Sequence, residues 1–127
     1  MSESTAILVV DDHPSMAKTL ADILSLKGFD VHAAYSGAEA IEILQNHPIH
    51  ILLTDVRMPD MNGVELCRAA RKIHPNLIMM LMTAYAADDI IQKGLSEGIK
   101  TVLTKPLNIN LILSIFSAYQ RPTIGFS

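Results

Sequence analysis

Three short stretches constrain this chain most. Ala6–Val10 and Leu77–Met82 are apolar at every position, and Ile49–Leu53 is apolar except for His50. A strand with one wet face alternates apolar and polar residues, so unbroken runs of this kind predict strands covered on both faces, as in a parallel sheet. Each run also stops at a polar group: Asp11-Asp12-His13 after the first, Thr54-Asp55 after the second and Thr83 after the third. A carboxylate delivered to the edge of a core costs free energy unless something pairs with it.

Helical patterns fill the intervals. Pro14 suits a first turn; Met16, Leu20, Ile23 and Leu24 share one helical face, and Gly28 is a stop. Val31–Ala34 is a weaker strand. Ser36 and Glu39 have capping-box spacing and open a second helix, with Ala38, Ile41 and Leu44 inward and Pro48 beyond its end. Gly63–His74 is a third helix with a Leu66, Ala70, Ile73 stripe, broken by Pro75-Asn76. Asp88 and Asp89 start a fourth, where acids complement the helix dipole, and Gly94 and Gly98 limit its length. Ile99–Leu103 is a fifth strand, running into Thr104-Lys105-Pro106. Asn108 caps a last helix reaching about Tyr119.

Five strands alternating with five helices over short connections imply an α/β fold: a doubly wound parallel sheet with right-handed crossovers and helices on both faces. In the order 2-1-3-4-5, strands one and three are central neighbours, and the site lies outside the C-terminal strand ends. A length of 127 residues fits one domain, here 1–120, with 121–127 as a tail or the start of a linker. The formal charge of −3 argues against direct nucleic-acid binding. The one cysteine, Cys67, allows no internal disulfide and suits a reducing, cytoplasmic setting. It reads as a small buried hydrophobe. No stretch has the length of a membrane span, and Met1–Thr5 has no signal-peptide pattern.

The strand ends converge on Asp11, Asp12, Asp55, Thr83 and Lys105. Two carboxylates about 4 Å apart repel by roughly 4 kcal/mol at an effective dielectric near 20. One lysine cannot neutralise three acids. The remainder calls for a hard divalent cation, and Mg²⁺ suits one or two carboxylates with waters and a phosphate oxygen. A hydroxyl at Thr83 and a point charge at Lys105 fit phosphoryl oxygens.

These residues carry a resemblance. The pair Asp11-Asp12, then Asp55 followed by Met58-Pro59-Asp60-Met61-Asn62-Gly63, then Thr83-Ala84 and Lys105-Pro106, each at a strand end, resemble the receiver domain of two-component response regulators. The likeness covers nearly all of residues 5–119. It implies a flavodoxin-like fold and a signalling switch rather than an enzyme. Asp55 would take a phosphoryl group from the phosphohistidine of a sensor kinase or phosphotransfer protein. Asp12, Asp55 and the backbone carbonyl of Arg57 would bind Mg²⁺, with Asp11 acting mostly through a metal-bound water. Thr83 would hydrogen-bond the phosphoryl group and Lys105 pair with it. An output domain or a second copy would use the face of helix four, strand five and helix five.

One position departs from the family. Val102 stands where strand five usually carries a switching aromatic, and valine is too short and stiff for that swing. This favours the second reading, a receiver-like adaptor or dimerisation module not switched by phosphorylation. Tyr85 is another aromatic nearby, expected to cover the phosphoryl site in part and slow hydrolysis. In the last helix the apolar residues span about 200°, wider than a core stripe needs, and the excess is expected at Ile109 and Leu113. His13 reads as a solvated loop residue, since no second histidine has matching ligand spacing. His47 and His50 read as incidental. Met79, Met80 and Met82 read as core. An unrelated doubly wound enzyme finds little support: no glycine-rich phosphate loop follows the first strand.

Overall fold

A computed structural model describes residues 4–85 and 89–119. The elements run β1 (Ala6–Val10), α1 (Pro14–Leu26), β2 (Asp30–Ala34), α2 (Gly37–Asn46), β3 (Ile51–Asp55), α3 (Gly63–Ile73), β4 (Ile78–Thr83), α4 (Asp89–Ser96), β5 (Thr101–Thr104) and α5 (Ile109–Ser117). The five strands form one parallel sheet in the order β2-β1-β3-β4-β5. Asp88, Gln120 and the expected tail, 121–127, lie outside the described residues.

Strand alternation sorts the core into two layers. Ala6, Leu8, Val10, Leu52, Met79 and Leu81 pack with residues of α2, α3 and α4. Ile7, Val9, Ile51, Leu53, Met80, Met82 and Leu103 pack on the other face with α1 and α5. Every residue of β1 and β3 is buried, and the only polar ones, Thr54 and Asp55, stand at the C-terminal end of β3.

Leu20, Leu24, Leu44, Leu66 and Ala70 are buried as the sequence reading has them, but other helix positions differ. In α1 the buried residues are Ala17, Leu20 and Leu24, while Met16 is exposed. In α2 they are Gly37, Ala40 and Leu44, while Ala38 is exposed. Small residues line both helices where they approach the sheet, and bulk alone does not reveal that phase. In α5, Ile112 and Phe116 are buried and Leu111 is exposed; Ile109 and Leu113, expected to be exposed, pack against the core. Phe116 meets Phe29 edge-on at 6.2 Å and fixes the rotation of that helix.

The ends are capped by specific groups. Ser36 Oγ accepts from Glu39 N, but the Glu39 carboxylate returns to Tyr35 N rather than to Ser36. The reciprocal capping box is at Asn62 and Glu65. Asn108 caps α5 as expected. Gly28 takes φ +96° and ends α1. His50 is not incidental: its Nδ1 accepts from Ala6 N at 2.8 Å, and its backbone N–H donates to Ala6 O, joining the start of β1 to the residue before β3. Cys67 is buried, and burial pushes its thiol pKa up to about 12.

Gly63 starts α3 directly under the end of β3. Its N–H donates to Val56 O at 2.7 Å, and a Cβ there would collide with the Asp55 carbonyl oxygen. Gly63→Ala is therefore expected to cost about 2–3 kcal/mol through backbone displacement, measured as a shift in the urea unfolding midpoint.

Candidate functional site

The strand ends place the expected residues together. In β1 and β3, Val10 pairs with Thr54, so the next residues, Asp11 and Asp55, extend side by side. Alternation gives them the parity of Ile7, Val9, Ile51 and Leu53, the α1/α5 face. Lys105 continues the parity of Leu103 and is anchored by Lys105 N donating to Thr83 O at 2.7 Å. Three residues from three strands thus turn to one side of the sheet edge. Thr83 follows Met79 and Leu81 instead, toward the opposite face.

Lys105 Nζ lies 3.0 Å from Asp11 Oδ2 and 2.9 Å from Asp55 Oδ2. Asp11 is 1% exposed and Asp55 7%. Asp11 Oδ1 accepts from the His13 backbone N–H at 3.0 Å. Burial raises the Asp11 pKa, but the hydrogen bonds from the His13 backbone and Lys105 outweigh it and hold it below the usual carboxylate value. Burial dominates at Asp55. Lys105 offsets part of it, the Asp11 charge adds to it, and the carboxyl ends above its usual value. Burial alone would lower the Lys105 pKa; the two carboxylates raise it instead.

Asp12 and His13 follow at the mouth. Atoms of Asp11, Asp12, His13 and Asp55, one from each, lie within 4.8 Å of one another, a grouping that could hold a metal ion. Asp12 Oδ1 is buried and accepts no hydrogen bond. An acceptor left in that state needs a cation or a donor, so the donor set fits a divalent ion with oxygen ligands. His13 is 69% exposed, as expected of a loop residue, yet its Nδ1 reaches both Asp11 Oδ1 and Asp12 Oδ1, at 3.1 and 3.3 Å. Arg57 sits two residues beyond Asp55 with an exposed side chain.

Thr83 is 1% exposed, and its Oγ1 accepts from Tyr85 N at 3.0 Å. Tyr85 itself is 69% exposed. Val102 is half-buried against the α2–α3–α4 core.

Asp60 was not singled out in the sequence. Its carboxylate accepts from Gly37 N and Ala38 N at 3.1 and 3.0 Å, tying the loop after Asp55 to the start of α2. Those bonds hold its pKa below the usual value despite an opposing contribution from burial. Local patterns could not reveal it, because helix and cap are 22 residues apart.

Comparison with known proteins gives a consistent result. Residues 7–117 match the response regulator receiver domain family. A response regulator receiver protein of Anaeromyxobacter sp. (strain Fw109-5) is 40% identical over 108 residues, 85% of this chain and 45% of that protein. The sensor histidine kinase RcsC of Escherichia coli is 34% identical over 120 residues, 94% of this chain and 13% of the kinase. The chain therefore spans less than half the length of either relative. A CheY-like receiver domain protein of Methanospirillum hungatei JF-1 matches with a TM-score of 0.87 at 27% identity, over 92% of this chain and 94% of that one.

The raised Asp55 pKa has a consequence for stability. A carboxyl whose folded pKa exceeds its unfolded value favours folding at pH values below the unfolded pKa, and that contribution is lost as pH rises through the folded pKa. At neutral pH without divalent metal, Asp55→Asn is expected to raise the melting temperature by about 3 °C. The gain should fade as pH falls toward the ordinary carboxyl pKa of about 3.9. Thermal unfolding of both proteins across that range checks both statements.

Proposed function

The chain belongs to the response regulator receiver domain family, and on that premise we propose that it is a phosphoryl-accepting switch with Asp55 as acceptor. The observation that carries this reading is the Lys105 ammonium held between Asp11 and Asp55 at the C-terminal edge of the sheet. A carboxylate oxygen of Asp55 attacks the phosphorus of a donor phosphohistidine. The P–N bond breaks, its electron pair stays on the leaving imidazole, and Asp55 becomes an acyl phosphate. The donor is a sensor histidine kinase or a phosphotransfer protein.

Positioning and electrostatics account for most of the work in such a transfer. A bound Mg²⁺ would supply neutralisation of charge on the phosphoryl oxygens. Asp12, Asp55 and the Arg57 carbonyl would hold it directly, with Asp11 acting through a water. Lys105, already 2.9 Å from an Asp55 oxygen, pairs with the incoming group. The Thr83 hydroxyl accepts from Tyr85 N and so keeps its own hydrogen to donate to a phosphoryl oxygen.

Output then takes an unusual route. With Val102 in place of an aromatic, Thr83 signals through the segment before α4. The receiving surface is the α4–β5–α5 face, where Leu111 is 50% exposed beside a groove lined by Val102, Pro106 and Leu107. An output domain or a second copy docks there, and nucleic acid does not. Residues 1–120 form the receiver unit and 121–127 its tail or linker. Among the described residues no helix is long and apolar enough to cross a membrane, and the proposed setting is the cytoplasm.

Intact mass after incubation with Mg²⁺ and phosphoramidate tests the reading. The protein is expected to gain one phosphoryl group, with no gain in Asp55→Asn or when EDTA is present. No gain under conditions that label an ordinary receiver would move the weight to an unswitched adaptor or dimerisation module, the reading that Val102 favours.

A further inference from the structure

We propose that His13 Nδ1 is a direct ligand of the divalent ion in this site, and that it biases the site toward a borderline first-row ion such as Mn²⁺ over Mg²⁺. The inference rests on the metal site of the proposed function and concerns which ion that site prefers.

The His13 ring nitrogen meets two carboxylate oxygens at once, Asp11 Oδ1 at 3.1 Å and Asp12 Oδ1 at 3.3 Å. One nitrogen carries at most one hydrogen, which can be directed at one acceptor. When carried on Nδ1, that hydrogen is directed at Asp11 Oδ1, which also accepts from the His13 backbone N–H. Asp12 Oδ1 does not receive it, and is left buried without a hydrogen bond. One hydrogen thus leaves the second acceptor, Asp12 Oδ1, unsatisfied. A metal ion held by Asp12 Oδ1 and by the ring nitrogen, its hydrogen displaced, would satisfy it. Two ligand atoms each about 2.1 Å from one ion are about 3.0 Å apart at a right angle and about 3.4 Å apart in a tetrahedron. The 3.3 Å between His13 Nδ1 and Asp12 Oδ1 falls between those values.

The chemistry of the nitrogen sets the preference. Carboxylates, carbonyls and water suit Mg²⁺, Ca²⁺ and Mn²⁺ alike, whereas imidazole favours transition ions. Replacing one water by an imidazole thus shifts the balance toward Mn²⁺ and the ions beyond it in the series. Three features allow His13 this role without structural cost. It is the N-cap of α1 yet makes no side-chain capping bond, its ring is mostly exposed, and its backbone hydrogen bond to Asp11 is independent of the ring.

Pulsed EPR of the Mn²⁺-loaded protein tests the contact. The wild type is expected to show the ¹⁴N coupling of a directly bound imidazole, and His13→Ala to lose it. The same substitution should weaken Mn²⁺ binding about tenfold and Mg²⁺ binding less than about threefold, read by EPR titration and Mg²⁺ competition. Bound Mn²⁺ without ¹⁴N coupling in the wild type, or an unchanged Mn²⁺/Mg²⁺ ratio in His13→Ala, overturns the inference and leaves the phosphoryl switch standing. A wild type that binds neither ion and takes no phosphoryl group overturns both.

Discussion

A single ammonium group organises the working edge of this protein. Lys105 Nζ sits between two carboxylates whose residues are almost wholly buried, one from the end of β1 and one from the end of β3. Lys105 itself comes from the end of β5, two strands from β3, so its side chain must cross the end of β4. Alternation makes that crossing possible. Thr83, the last residue of β4, has the parity of the opposite face and leaves the α1/α5 side open for the lysine stem. The strand order, the placement of one threonine and the reach of one lysine are a single requirement.

Such a cluster contributes little to net stability. Removing charges from water is costly, and a buried ion pair returns that cost only with good geometry and further hydrogen bonds. Asp11 has both, through Lys105 and the His13 backbone, and its carboxyl is held below the usual pKa. Asp55 has less, and burial leaves its carboxyl above the usual value. The two acids differ only in their surroundings, and the one poorly satisfied is the one proposed to react. Stability comes instead from the two apolar layers, where every residue of β1 and β3 is buried. Close packing extends to the site through Gly63, whose missing side chain lets α3 begin against the Asp55 carbonyl.

The strands and the polar residues at their ends were legible because a sheet covered on both faces leaves unbroken apolar runs, and each run stops where the functional edge begins. The helix faces were less legible. Hydrophobic size points to Met16 in α1 and overlooks Ala17, yet the small residue is the one at the sheet. In α5 nearly every side is apolar, so periodicity sets no direction; Phe116 against Phe29 decides it, and the exposed residue is Leu111. Asp60 and His50 act across long sequence separations, through backbone groups that no local pattern identifies. His13 was read correctly as exposed, but not as a neighbour of two acids, because that contact depends on how the chain turns after β1.

The opposed parity of Lys105 and Thr83 has a further consequence. The sheet is a partition with a different set of helices on each side, and the two residues lean toward different sides of it. On the proposed reading, charge arriving at Asp55 would pull on Lys105, on the side of α1 and α5, and would draw Thr83, on the side of α2, α3 and α4. One chemical event would then be reported twice, to two bodies of helix in separate core layers. A partner reading one side and a partner reading the other could respond to the same phosphoryl group without competing for the same surface.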